Sequence, residues 1–267
     1  MSQRMCLDLL SDGSEEVINV FIHGFLSVST LEKYLGLCQM ILKASPMGRA
    51  YLYNWPSSGT KIPALGVPVR RVLQLTKLNP ASILWMPAEM AAEKVISVAT
   101  QFLTAKRQSE KAGKKLLHKV SLIQGAKNLP INLIGHSLGA RVIQYSLANS
   151  DWSKYDLRKC ILLGGAADLN ASWGEMLEKV NDRIINVYSQ RDKILSLERA
   201  FGNSKKVGKY PINSPYNGIE NRHYRSFGHS DYWMRLPYIL PRLGDDLKRS
   251  KIYEEREAVY EELNFAL

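Results

Sequence analysis

Cysteine is scarce in this 267-residue chain. Cys6, Cys38 and Cys160 are odd in number, far apart and in no metal-ligand spacing, which excludes a disulfide framework and suits reduced thiols filling apolar space. No His-Glu-x-x-His or paired-cysteine pattern occurs, so neither a metal nor a cofactor is expected. Long apolar runs are missing too: no stretch of about 18 uncharged apolar residues is present, and no membrane span is expected. The first ten residues carry a charge inside their short apolar run and lack the uninterrupted centre of a signal peptide, so a cytoplasmic location is expected. Export by a leaderless route would leave no mark in such a sequence. Gly202 to Lys209 looks like a phosphate loop at first sight. Its glycine spacing is one residue too long, and Tyr210 stands where a magnesium-binding hydroxyl belongs.

The composition is that of a globular protein, with 45% apolar and 23% charged residues. Residues 1–267 read as a single domain, long enough to bury a sizeable core. The formal net charge of +11 suits contact with an anionic surface, phospholipid or nucleic acid, and equally suits simple solubility.

Ile131-Asn-Leu-Ile-Gly-His-Ser-Leu-Gly-Ala140 is the stretch around which the chain is organised. A buried-strand pattern runs into Gly135-His-Ser-Leu-Gly139 and on into helix, with Ala140, Val142, Ile143, Leu147 and Ala148 at helical spacing. This is the sequence form of a nucleophile elbow, a strained turn that lifts the hydroxyl of its central residue, here Ser137, above the sheet. His136 is expected to pack beside the elbow and His118 to be exposed.

Before the elbow, residues 1–16 read as a polar lead-in, Val17–Ile22 as a buried strand ending in His23-Gly24, Thr30–Ala44 as a helix and Gly48–Trp55 as a strand. Residues 57–127 form a helical insertion or lid whose long helix starts near Met86. Between Lys106 and Lys119 that helix has six Lys/Arg and one acid, either a solvated face or a membrane-contact arm. After the elbow come strands at Lys159–Leu163 and Arg183–Tyr188, a short helix at Glu175–Val180 and a surface excursion over 198–220. An extended piece at Arg222–Phe227, a closing helix at Asp231–Leu240 and a charged helix at 245–267 complete the chain. The alternation implies an α/β fold, a mostly parallel central sheet with helices on both faces and functional residues at the carboxyl ends of strands.

A serine hydroxyl needs a histidine to take its proton and a carboxylate to hold that histidine in the right tautomer. Ser137, Asp192 and His229 occur in nucleophile, acid, histidine order at such strand ends. Asp168, at the end of the preceding strand, is the alternative acid. His223 competes with His229 but falls inside a strand, where a structural role is the default.

Through Phe21-Ile-His-Gly-Phe25, Gly135-His-Ser-Leu-Gly139, Ser189-Gln-Arg-Asp192 and Gly228-His-Ser230, the chain resembles the α/β-hydrolases over residues 17–242. Within them, Ala50-Tyr-Leu-Tyr-Asn-Trp55, Leu138-Gly-Ala-Arg-Val-Ile143 and Gly228-His-Ser-Asp-Tyr232 are similar to transmembrane-and-coiled-coil hydrolase-like proteins of unknown function. Those proteins carry membrane segments, and this chain departs from them in that no span is expected in it. The resemblance implies an oxyanion hole made by the N–H groups of Leu138 and Phe25, with His23 as a hydrogen-bonding scaffold. The expected activity is hydrolysis of a carboxylic ester, lipid-like in type, with peripheral contact to an anionic membrane and no nucleic acid partner. A thioesterase or acyl transferase would use the same three residues, and a catalytically idle basic module is the rival of another class.

Overall fold

The computed structural model describes residues 5–13, 16–25, 27, 29–44, 48–57, 88–198, 204–213 and 217–244, with backbone only over 88–99 and 197–198. Its spine is a seven-stranded sheet, β1 (Cys6–Ser11), β2 (Ile18–Ile22), β3 (Arg49–Asn54), β4 (Ile131–His136), β5 (Leu157–Leu163), β6 (Arg183–Tyr188) and β7 (Ile219–His223). The spatial order is β1-β3-β2-β4-β5-β6-β7. All neighbours are parallel except β1, which pairs antiparallel with β3. This is the mostly parallel α/β sheet that the sequence reading expected.

The central strands are apolar on both faces because both faces are covered. On one side, Ile18, Val20, Ile22, Leu133 and Leu162 meet α2 (Ala88–Val120) and α3 (Leu138–Asn149). On the other, Phe21, Leu52, Ile134, Ile161 and Ile185 meet α1 (Leu31–Ala44), α6 (Asp231–Met234) and α7 (Leu236–Ile239). Two short helices, α4 (Trp173–Leu177) and α5 (Lys193–Glu198), follow β5 and β6. From Ala105 on, α2 is a packed layer of the core: Ala105, Ala112, Leu116 and Val120 are buried. A Cβ on Gly113 would lie 2.6 Å from the Val142 carbonyl oxygen of α3, so the two helices touch backbone to backbone there. The basic residues Arg107, Lys111, Lys114 and Lys115 occupy its opposite, exposed face.

Four segments depart from the sequence expectation. The supposed lead-in contains β1, whose Asp8 interrupts the apolar pattern but accepts hydrogen bonds from Tyr34 Oη (2.9 Å) and Asn54 Nδ2 (3.1 Å). The strand expected at 222–227 runs instead over Ile219–His223, held in register by Asn186 Nδ2 donating to Asn221 Oδ1 (3.1 Å). Residues 204–213 are not a surface excursion, since Lys206, Val207 and Ile212 are buried. Gly208 is there for close approach, because a Cβ would sit 2.4 Å from the Gly164 carbonyl carbon. The closing helix is broken into α6, α7 and a 3-10 turn at Leu240–Arg242, as Pro237 and Pro241 remove donors and restrict the residue before each. The expected helix at 245–267 and residues 58–87 of the 57–127 insertion lie outside the described residues.

The packing of α2 yields a stability contrast. Leu116→Ala should cost about 2–5 kcal/mol, the range for a fully buried leucine. Leu103→Ala, at a position 41% exposed on the same helix, should stay within about 0.5 kcal/mol. Urea unfolding of both variants checks this, and equal costs would mean that α2 is not packed by this face.

Candidate active site

Every candidate site residue sits at the carboxyl edge of the sheet or in the loop beyond it. Ser137 follows β4 directly and has φ 56° and ψ −120°, the only positive φ of a non-glycine residue among those described. Such strain persists only where the surroundings impose it. The Ser137 N–H donates to the Leu163 carbonyl (3.1 Å), and its own carbonyl accepts from Ala166 (2.9 Å). Gly135 and Gly139 allow the crossing of strand and helix, a Cβ on Gly139 falling 2.0 Å from the Ile22 carbonyl oxygen.

His229 arrives from the loop after β7. Its Nε2 lies 2.9 Å from Ser137 Oγ and its Nδ1 2.7 Å from Asp192 Oδ2. Asp192 is fully buried, and its other oxygen, Oδ1, accepts from the Ile194 and Leu195 N–H groups at 3.1 Å. One carboxylate therefore caps α5 and holds the histidine. Burial alone would raise the Asp192 carboxyl, but His229 and the Leu195 N–H outweigh it and bring it below the usual range. With the carboxylate ionised, Nδ1–H donates to Asp192 and the Nε2 lone pair faces the serine hydroxyl. Asp231 Oδ2 accepts from the Gly228 N–H (2.6 Å) and closes the turn that carries His229.

Asp168 is engaged elsewhere. Its Oδ2 accepts from Arg141 (2.9 Å), and its Oδ1 from Lys206 (2.5 Å) and Ser204 (2.6 Å). Arg141 in turn reaches Glu110 of α2 at 2.9 Å. Burial opposes ionisation of Asp168, but these donors win and hold its carboxyl far below the usual range. The group ties α2, α3 and the 204–206 segment together, and its partners Arg141 and Lys206 were not singled out in the sequence. His223 lies at the end of β7, exposed and stacked on Tyr188 with centroids 4.7 Å apart.

The two residues implied for an oxyanion hole are Leu138, next to the serine in the chain, and Phe25, at the end of a loop that reaches it. Leu138 is the first residue of α3, so its N–H has no acceptor within the helix and points with the positive end of the helix dipole. The loop leading to Phe25 lies against the elbow, since a Cβ on Gly24 would be 2.8 Å from Ser137 Cβ. Phe25 packs edge-on against Phe102 of α2, centroids 5.4 Å apart. His23 holds the start of this loop: Nδ1–H donates to the Gly24 carbonyl (3.1 Å), Nε2 accepts from the Trp55 N–H (3.5 Å), and the rings stack 5.6 Å apart. No group of three or more His, Cys, Asp or Glu among the described residues is placed to hold a metal ion.

A family model described as a protein of unknown function (DUF726) matches residues 61–245. The chain belongs to that family. It is 32% identical over 170 residues to the transmembrane and coiled-coil domain-containing protein STS1 of Oryza sativa subsp. japonica, covering 58% of this chain and 25% of that protein. It is 30% identical to an uncharacterized membrane protein of Schizosaccharomyces pombe, covering 68% of this chain and 32% of that one. The match thus spans about a quarter to a third of those relatives' length. No helix among the described residues is long and apolar enough to cross a membrane. Similar solved structures include LpqC, a poly(3-hydroxybutyrate) depolymerase from Bordetella parapertussis, with TM-score 0.48, 10% identity, and 94% and 89% of the two chains covered. Zea mays acyl-protein thioesterase 2 has TM-score 0.46, 12% identity, and 92% and 99% covered.

The buried histidines make stability pH-dependent. Burial lowers His23 from 6.5 to about 4 and His136 from 6.5 to about 3. The unfolded chain takes up these protons near pH 6.5 while the folded chain does not. Stability is therefore complete above pH 6.5 and falls as the pH drops towards 4 and then 3. At about 1.4 kcal/mol per pH unit, His23 alone accounts for a loss of roughly 3 kcal/mol by pH 4. Chemical unfolding at pH 7 and 4.5 should show the drop, and His23→Gln should reduce it by about half, His136 supplying the rest. An equal drop in that variant would remove His23 from the account.

Proposed function

We propose that this protein is a serine hydrolase that cleaves a carboxylic ester by way of an acyl-enzyme. The observation that carries the proposal is the hydrogen-bonded line from Ser137 Oγ through His229 to the buried Asp192 carboxylate, 2.9 Å and 2.7 Å long in its two links. His229 takes the hydroxyl proton as Ser137 Oγ attacks the carbonyl carbon, and Asp192 stabilises the imidazolium that results. The Leu138 and Phe25 N–H groups stabilise the tetrahedral oxyanion, donors of this kind being worth about 3–4 kcal/mol each. His229 then returns its proton to the leaving alcohol, and water attacking by the reverse route frees the acid and Ser137.

A lipid-like ester is supported by the half-buried Phe25–Phe102 pair, which follows directly on the Gly24 position packed against the nucleophile, and by relatives named as membrane proteins. Peripheral contact with an anionic membrane is supported by the exposed row of Arg107, Lys111, Lys114 and Lys115 on α2. Adsorption to phosphatidylserine-containing vesicles should weaken steadily as salt rises from about 0.05 to 0.5 M, because exposed charges are screened. Sedimentation with vesicles measures this, and salt-independent adsorption would contradict it.

The enzyme proposal is tested by fluorophosphonate labelling and 4-nitrophenyl ester hydrolysis. Ser137→Ala should abolish both. Asp192→Asn should lower turnover by about 10⁴, as loss of a triad carboxylate does. Asp168→Asn should leave turnover within an order of magnitude while lowering stability by ~2 kcal/mol, since it weakens the pairing of buried Lys206 and Arg141. Equal labelling of wild type and Ser137→Ala would end the serine-hydrolase proposal, and a larger collapse in Asp168→Asn would exchange the acids.

A further inference from the structure

Strand order creates a problem of reach. Ser137 follows β4, whereas His229 follows β7, three strands away in the sheet. At about 4.8 Å between strands, the segment Gly228–Trp233 must come back across roughly 14 Å of sheet edge to place its imidazole on the serine. Two positions near the elbow receive it. Gly164, with φ +50°, leaves room for the Tyr232 ring, since a Cβ there would lie 2.5 Å from Tyr232 Cε2. His136, directly before the nucleophile, meets three residues of the segment, with ring centroids 4.8 Å from His229, 5.9 Å from Tyr232 and 5.4 Å from Trp233.

The polar atoms of His136 are placed on opposite sides. Its Nε2 is 2.8 Å from the His229 carbonyl oxygen. A carbonyl only accepts, so Nε2 carries the hydrogen and Nδ1 a lone pair. Nδ1 is buried without a hydrogen-bond partner among the described residues. It faces Gly24, where a Cβ would be 3.4 Å away. One imidazole thus stands between the turn that carries His229 and the loop that leads to Phe25.

We propose that His136 is a positioning residue for His229, and that it holds the returning turn in register with Ser137 through the Nε2–H bond to the His229 carbonyl. An aromatic ring at 136 would fill the same space but leave that carbonyl without its donor, and Asn is too short to reach it. Gln places an amide N–H at about the reach of Nε2. The role goes beyond the triad and rests on the serine-hydrolase proposal only for its kinetic readout.

The test compares His136→Phe and His136→Gln with wild type. The readouts are the second-order rate of fluorophosphonate labelling at Ser137, the proton NMR resonance of the His229 Nδ1–H shared with Asp192, and the melting temperature. The Phe variant should label about 10- to 100-fold more slowly, the scale of a small misplacement of a catalytic group, with the His229 resonance shifted or broadened. Gln should restore most of the rate and the resonance. Wild-type kinetics in both variants, or equal loss in both, would overturn the proposal. Should the Phe variant not fold, ¹⁵N imidazole shifts of the wild-type protein decide: a His136 protonated at Nε2 upholds the assignment, and one protonated at Nδ1 overturns it. If wild-type Ser137 does not label at all, the hydrolase proposal fails, while the NMR comparison still judges His136.

Discussion

The structure depends on a backbone constraint at the end of β4. Helix α3 begins at the residue after Ser137, with no linker between it and the strand end at His136. The chain can reverse that sharply only if Ser137 accepts φ 56° and if no Cβ intervenes at Gly135 and Gly139, which face α3 and the end of β2. Left-handed backbone at a non-glycine residue costs on the order of 1–3 kcal/mol, and here the hydrogen bonds of Ser137 to Leu163 and Ala166 lock it in place. The strain that lifts the hydroxyl also seats the N-terminus of α3 beside it. On the proposed function, geometry for attack and polarity for charge come from one turn.

Around that turn, each carboxylate is committed by its neighbours. Asp192 divides its two oxygens between the end of α5 and the imidazole, so movement of the helix would move the histidine. Asp168, at the corresponding place one strand earlier, is surrounded by Arg141, Lys206 and Ser204 and serves to fasten α2 and α3 to the sheet edge. Two acids at equivalent strand ends thus have different duties, set by whether a histidine or fixed cations face them.

How much of this could be read in the sequence varies with the physical signal. The elbow, the strands at 17–22, 131–134 and 183–188 and the long helix carry strong periodicities, and they occur close to the places read for them. β1 did not, because an edge strand paired on one side needs little apolar alternation. Residues 204–213 were misread because glycine and polar side chains serve buried close approach as well as exposed turns. The choice between the two acids could not be made from order alone, since it turns on Arg141 and Lys206, which lie 27 residues before and 38 after Asp168. An aspartate followed by Lys193-Ile-Leu195 was a local helix-cap signal that could have marked Asp192.

Ser137 and His229 are 92 residues apart in the chain, and β7 must pair with β6 before the histidine has a platform from which to return. The nucleophile turn can therefore be complete while its serine is still an ordinary alcohol. On the proposed function, Ser137 therefore gains its base only once the last strand has docked, and the unfinished chain is shielded from premature chemistry. A parallel sheet assembled from such distant segments forms slowly, and the approach of His229 to Ser137 waits on it. Reactivity at Ser137 would then report that the whole sheet, not just the elbow, has been built.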